Sequence, residues 1–294
     1  MADNMREIKS RIKSINQMQQ ITKAMKLISA SKLKKARGQL AETLPYFNKV
    51  KETIAGILEH SGDVESSYFD IRDERTGSKK AYIILTGDRG FAGGYNGNIK
   101  KLAESTIGDD KENSLLLVAG MSGRSYFVRK KYNVHTEFDY AVQNPTVFRA
   151  REIADTVLGL YNKQEVDEVY IIYTEMKSAI SLEPKILKLL PLEICALRED
   201  VKSDEIKIDE QIKYEPSTTE VLDVLIPKYI KGIVYGTFVE AFTSEQNARM
   251  TAMDSATKNA DEMLMKLNLY YNRVRQSAIT QEISEIVGGA AALK

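Results

Sequence analysis

The sequence predicts an α/β protein in which long N- and C-terminal helices pair as an antiparallel coiled coil and a layered α/β domain lies between them. Three observations carry this reading. The first 37 residues and the stretch from Thr237 to Val287 contain neither glycine nor proline. Unbroken helices of those lengths run roughly 55 and 75 Å, too long to be covered without a partner helix. Apolar residues in both stretches form a narrow stripe, and the middle of the chain alternates short apolar runs with helix-like segments.

In the C-terminal stretch Met250, Met253, Thr257, Ala260, Leu264, Leu267, Tyr271, Val274 and Ala278 follow an unbroken 3-4-3-4 alternation, the seam of a left-handed supercoil. In the N-terminal stretch Ile8, Ile12, Ile15, Met18, Ile21, Met25 and Ile28 recur at spacings of 4, 3, 3, 3, 4 and 3. Two seams at the two ends of one chain pair most simply with each other. The helical pattern continues past Pro45 towards Leu58, and Ser61-Gly62-Asp63 marks a break before a polar linker reaching about Lys79.

The middle reads as a sheet with helices on its faces. Residues 81–85, 115–118 and 169–173 are continuous apolar runs of the kind buried parallel strands show. Helix-like segments cover 98–106, 122–131 and 146–162; Lys185 to Cys195 is extended, and Leu197 to Lys213 is loop-like. The expected domains are an N-terminal coiled-coil helix at 1–60, a central α/β domain at 76–213 and a C-terminal coiled-coil helix at 217–294.

Composition narrows the function classes. The chain has 294 residues, 43% apolar and 28% charged, enough for a sizeable core. No apolar run approaches the ~18 residues of a membrane span and the start has no apolar leader, so a cytoplasmic protein, or one held at a membrane through others, is expected. Cys195 is the sole cysteine and His60 and His135 the only histidines, which leaves no internal disulfide and no cysteine- or histidine-rich metal site. The net charge is +1, yet residues 1–40 carry ten Lys/Arg against Asp3 and Glu7. A solvated helix face normally mixes signs, so this one-signed face points to an acidic partner: nucleic acid, an anionic membrane or an acidic protein surface. Electrostatics alone does not choose among them.

The first strand ends in a glycine-rich turn, Gly87 to Asn98, where an α/β sheet can hold a phosphate. It has neither GxGxxG spacing nor the Gly-Lys-Ser/Thr ending of a P-loop, and a tight structural turn is the favoured reading. No catalytic constellation can be assembled around two histidines.

Four blocks, taken together and in this order, resemble the gamma subunits of F-type ATP synthases. They are Ile21-Thr22-Lys23-Ala24-Met25 with Ala30-Ser31-Lys32; Ser244-Glu245-Gln246-Asn247-Ala248-Arg249-Met250 with Ala252-Met253; Tyr271-Asn272 with Arg275-Gln276; and the closing run from Ile279 to Ala292. The resemblance covers essentially the whole chain. It implies a central Rossmann-like α/β domain beneath the coil and a mechanical role: a rotor shaft inside a ring of three alpha and three beta subunits, its foot resting with epsilon on the c-ring. It implies no cofactor and no catalysis by this chain, and a peripheral place on the cytoplasmic face of the cell membrane. Residue by residue, Lys23, Met25 and Lys26 match the segment that passes the acidic lever of beta. Arg249, Arg275, Gln276, Thr280 and Glu282 match positions that contact the beta/alpha ring, and Tyr214, Glu215 and Pro216 match a foot motif near the c-ring. Phe91 and Ala92 replace the family's usual Leu-Cys after the first strand, so a thiol role there is absent. Two other readings stand beside it: a nucleic-acid-binding coiled coil, which accounts for the basic helix, and a nucleotide-binding enzyme, which accounts for the central domain.

Overall fold

The computed structural model describes residues 2–60, 66–69, 78–138, 140–178, 181–193 and 214–292. Its elements are α1 (Ala2–His60), β1 (Lys80–Leu85), α2 (Tyr95–Ile107), β2 (Ser114–Ala119), α3 (Met121–Arg129), α4 (Val147–Asn162), β3 (Glu168–Met176), β4 (Leu182–Leu190) and α5 (Thr218–Ala292). The chain divides into two compact units. One comprises 1–30 with 249–294, the other 31–248.

The larger unit is built on a sheet of order β2-β1-β3-β4, with β1 parallel to β2 and β3 and with β4 antiparallel to β3. The expected strands all form. Alternate residues of a strand face opposite sides, and the burial follows that rule. Ala81, Ile83 and Leu85 of β1, with Val169 and Ile171 of β3, join a core shared with α1, α4 and α5. Tyr82 and Ile84, with Ile172, join a second core under α2 and α3. The α/β body therefore recruits the parts of the long helices that fall in this unit. Leu222, Ile226, Ile230, Val234 and Phe238 recur every four residues of α5 and are fully buried, and Ile54, Ile57 and Leu58 do the same for α1. Pro45 and Pro227 sit inside these helices without ending them.

The extended segment expected at 185–195 appears as β4, displaced towards the N-terminus. Residues 194–213, including Cys195 and the loop-like stretch, and most of the linker at 61–79 lie outside the described residues. Among the described residues no helix is long and apolar enough to cross a membrane, and no group of side chains could hold a metal ion.

Candidate functional site

In the smaller unit the two helices pair antiparallel. Gln19 hydrogen-bonds Asp261, Thr22 Oγ1 lies 2.8 Å from Thr257 Oγ1, and Lys26 Nζ lies 2.6 Å from Asp254 Oδ1. Each step forward on α1 is a step back on α5. On α5, Met253 and Ala260 are buried, and from Ala260 on, Leu264, Leu267, Tyr271, Val274 and Ala278 are the shielded positions among solvent-exposed neighbours, as the 3-4 alternation requires, while Ala252, Asp254, Ala256 and Thr257 are all half-buried.

The N-terminal seam is different from the expected one. Ile8, Ile12, Ile15 and Met25 are shielded, but Met18, Ile21 and Ile28 are 59%, 55% and 56% exposed. Ile21 lies nine residues beyond Ile12, which at about 100° per residue puts it on the opposite face of the helix. The real seam keeps the strict 4-3 alternation and passes through Gln19, Thr22, Lys26 and Ser29, of which Thr22 and Ser29 are buried. Apolar content alone missed these polar positions; continuing the heptad from Ile8, Ile12 and Ile15 finds them.

With a seam satisfied in this way, the apolar residues left outside it are conspicuous. Met18, Ile21, Leu27 and Ile28 on α1 and Met263, Met265, Leu269 and Tyr270 on α5 are exposed. In the observed pairing the start of α1 falls level with Ala278, and residues 279–290 of α5 are all exposed, Ile279, Ile283, Ile286 and Val287 among them. A surface of this kind marks a place where another molecule is bound.

The residues matched to family contacts fall as follows. Lys23, Arg275, Gln276, Thr280 and Glu282 are exposed, with the Thr280 hydroxyl donating to the Gln276 carbonyl at 2.9 Å. Met25, Lys26 and Arg249 are half-buried. The structure brings Lys26 to an acid of its own chain, so Lys26 does not belong to the free basic face, whereas Lys23, Lys32 and Lys34 are exposed. Tyr214 is half-buried against the core of the larger unit, and Glu215 and Pro216 are exposed.

Lys26, and then Lys258, hold the Asp254 carboxyl below its ordinary value of 3.8 through hydrogen bonds to the carboxylate. A folded-state pKa below the unfolded one contributes stability above pH 3.8 that is lost as pH falls through the folded value. The Asp254→Asn variant is therefore expected to melt below the parent at neutral pH, and the gap should close on acidification beneath 3.8. Melting curves across that range check this; a gap independent of pH would show that the pairing is electrostatically neutral.

The glycine-rich turn proves to be filled by the chain itself. In an open α/β sheet a ligand sits at the carboxyl ends of the strands, where the strand order reverses, here between β1 and β3. Glu245, only 3% exposed, occupies that crevice; a Cβ placed on Gly87 would lie 2.8 Å from its carboxyl group. The space a phosphate would take beside Gly87 is therefore occupied by a side chain of the chain itself. This supports the structural reading of the turn.

Relatives agree with these features. A family model described as ATP synthase matches residues 4–293. The ATP synthase gamma chain of Ruminiclostridium cellulolyticum is 80% identical over 294 residues, covering all of both chains. That of Acetivibrio thermocellus is 58% identical, covering 98% of each. An Acetobacterium woodii relative, named as a sodium ion specific ATP synthase gamma chain, is 44% identical and covers 100% of each. Among solved structures, a chain of the Euglena gracilis mitochondrial ATP synthase covers 100% of this chain and 95% of its own with a TM-score of 0.70 at 17% identity. A chain of the Tetrahymena thermophila central stalk and c-ring covers 80% and 99% with a TM-score of 0.56 at 24% identity. The fold is that of these stalk chains, and the chain belongs to the ATP synthase gamma chain family.

Proposed function

We propose that this chain is the central rotor shaft of an F-type ATP synthase. It passes rotation between a membrane c-ring and a catalytic ring of three alpha and three beta subunits, coupling ion flow to ATP synthesis or hydrolysis. It is a rotor subunit and not itself catalytic. The observation that carries this beyond family membership is the paired coil whose seam is closed while apolar side chains outside it, Met18, Ile21 and Ile28 on α1 and Ile279, Ile283, Ile286 and Val287 at the α5 tip among them, remain exposed. A rod enclosed by a ring needs such a surface, and a rod that binds nucleic acid does not. The relatives give no support to the nucleic-acid reading.

On this reading Lys23, Met25 and Lys26 pass the acidic lever of beta, and Arg249, Arg275, Gln276, Thr280 and Glu282 meet the beta/alpha ring. Tyr214, Glu215 and Pro216 belong to the foot on epsilon and the c-ring, and the assembly is peripheral on the cytoplasmic face of the membrane. What supports these assignments is their match to the family's blocks and the exposure of Lys23, Arg275, Gln276, Thr280, Glu282, Glu215 and Pro216. The three-part organisation 1–60, 76–213 and 217–294 is the functional division we assign: two strands of the shaft and the body between them.

Replacing Lys23, Lys32 and Lys34 together with glutamine tests the basic face. Exposed charges contribute about 0–1 kcal/mol per pair to stability, so the complex should assemble, while a one-signed field acting across an interface is lost. Ions pumped per ATP in reconstituted vesicles should fall, and its dependence on salt should flatten. An unchanged ratio with unchanged salt dependence would mean that this face is merely solvated.

A further inference from the structure

Where α5 crosses the carboxyl ends of the strands, it carries a run of buried polar residues, Thr243 to Asn247, none more than 4% exposed. A helix does not bury such a run by default, because each polar group must find a partner. Four contacts show how it grips the sheet. Met176 N donates to Glu240 Oε1 at 2.8 Å, and Ser244 Oγ donates to the Thr174 carbonyl at 2.9 Å; both partners stand at the end of β3. The Tyr95 hydroxyl, at the start of α2, donates to the Ala241 carbonyl at 3.0 Å. The Glu245 carboxylate fills the space against Gly87, whose own N–H is held by Asn96 Oδ1 at 2.8 Å.

At about 100° per residue these positions span an arc of roughly 140° around α5. The helix is held from β3 at one edge of the arc and from the β1–α2 turn at the other. The buried ladder from Leu222 to Phe238 is apolar, and apolar packing has no preferred direction. Hydrogen bonds weaken steeply when misaligned. Resistance to turning α5 about its own axis therefore resides in the polar run.

We propose that Glu240, Ser244 and Glu245 form a torsional clamp: positioning residues that fix the rotation of α5 against the sheet, so that load passes between the α/β body and the helix instead of being lost as slip. This rests on the rotor reading. The same helix continues past Ala248 to Ala292.

The test uses the assembled complex in vesicles, with ATP hydrolysis and ions pumped per ATP measured together. Glu240→Ala combined with Ser244→Ala removes two hydrogen bonds that hold the clamp, and should lower pumping per ATP while hydrolysis continues. Glu240→Gln keeps an acceptor for Met176 N and should pump as the parent does. Val234→Ala, a cavity in the apolar ladder of the same helix, should lower the melting temperature without moving the ratio. Should the double variant fail to assemble, Gly87→Ala decides the matter: its methyl displaces the Glu245 carboxylate and should give the same loss. Parental pumping per ATP in an assembled clamp variant, or an equal loss in Val234→Ala, overturns the clamp. A parent complex that does not pump overturns the rotor reading instead.

Discussion

Gly120→Ala is expected to prevent stable folding of the α/β body. Gly120 follows β2 directly and has φ 89, a conformation that L side chains rarely adopt. Its N–H donates to the Tyr140 carbonyl at 2.9 Å, and its carbonyl accepts from Arg124 N at 3.2 Å as α3 begins. A Cβ here would sit 2.0 Å from the Thr86 carbonyl oxygen and 2.7 Å from its carbon. Those are backbone atoms. Thr86 cannot retreat, because its hydroxyl bonds the Ala119 carbonyl and accepts from Gly123 N, capping α3. The cost should exceed about 4 kcal/mol, in the range reserved for overpacking and strain at special backbone positions, against a total stability of roughly 5–15 kcal/mol. Gly108→Ala is the comparison: its φ of 56 and ψ of −129 also favour glycine, but nothing lies within 4 Å of the added methyl, so the cost is backbone strain alone, about 1–3 kcal/mol. Denaturant midpoints of the two variants check the pair. A Gly120→Ala protein as stable as Gly108→Ala would show that the β2–α3 junction can open without loss.

The second large effect concerns Leu267. It is half-buried in the α5 seam and lines a groove with Ser10, Arg11, Ser14 and Ile15 of α1. Leu267→Pro and Leu267→Ala remove the same seam side chain. Proline also deletes a backbone donor and clashes with the preceding turn, costing ~3 kcal/mol or more and kinking the helix. Alanine leaves the helix straight and, at a half-buried site, costs less than the about 2–5 kcal/mol of a fully buried leucine. The kink lies N-terminal to the exposed stretch from Ile279 to Val287 and redirects it. Pumping per ATP should collapse in the proline variant and largely survive in the alanine variant, with ATP hydrolysis persisting in both. Equal ratios in the two assembled complexes would refute the claim that an unbroken α5 carries the load.

Much of this was legible in the residues because the long-period signals are strong. The seam from Ala260 to Ala278 appears position for position in the burial, and three apolar runs become β1, β2 and β3. What was not legible has one physical origin: polar residues used where apolar ones are expected. Gln19, Thr22 and Ser29 hold the α1 seam through hydrogen bonds and small size, so a search for apolar spacing drifted onto Met18, Ile21 and Ile28 instead. Likewise Ser244 and Glu245 stand in a family block by sequence, whereas their burial against β3 and Gly87 follows only from the tertiary fold. The division of the α1 and α5 helices between two units near residues 30 and 249 is equally a tertiary fact.

The far end of α5 has no partner helix among the described residues. Its last turns extend a helix that is already nucleated, so only the balance of propagation holds them, and Gly288 and Gly289 near the close are each about 1 kcal/mol less favourable than alanine there. Residues 279–290 are thus poised near the balance point between helix and coil. Their conformational freedom is a reserve of entropy, and enclosure by a surrounding partner removes it. Part of the attraction between the apolar stripe and its enclosure is consumed in ordering these last turns, which tempers adhesion at the one place where a turning part must not stick.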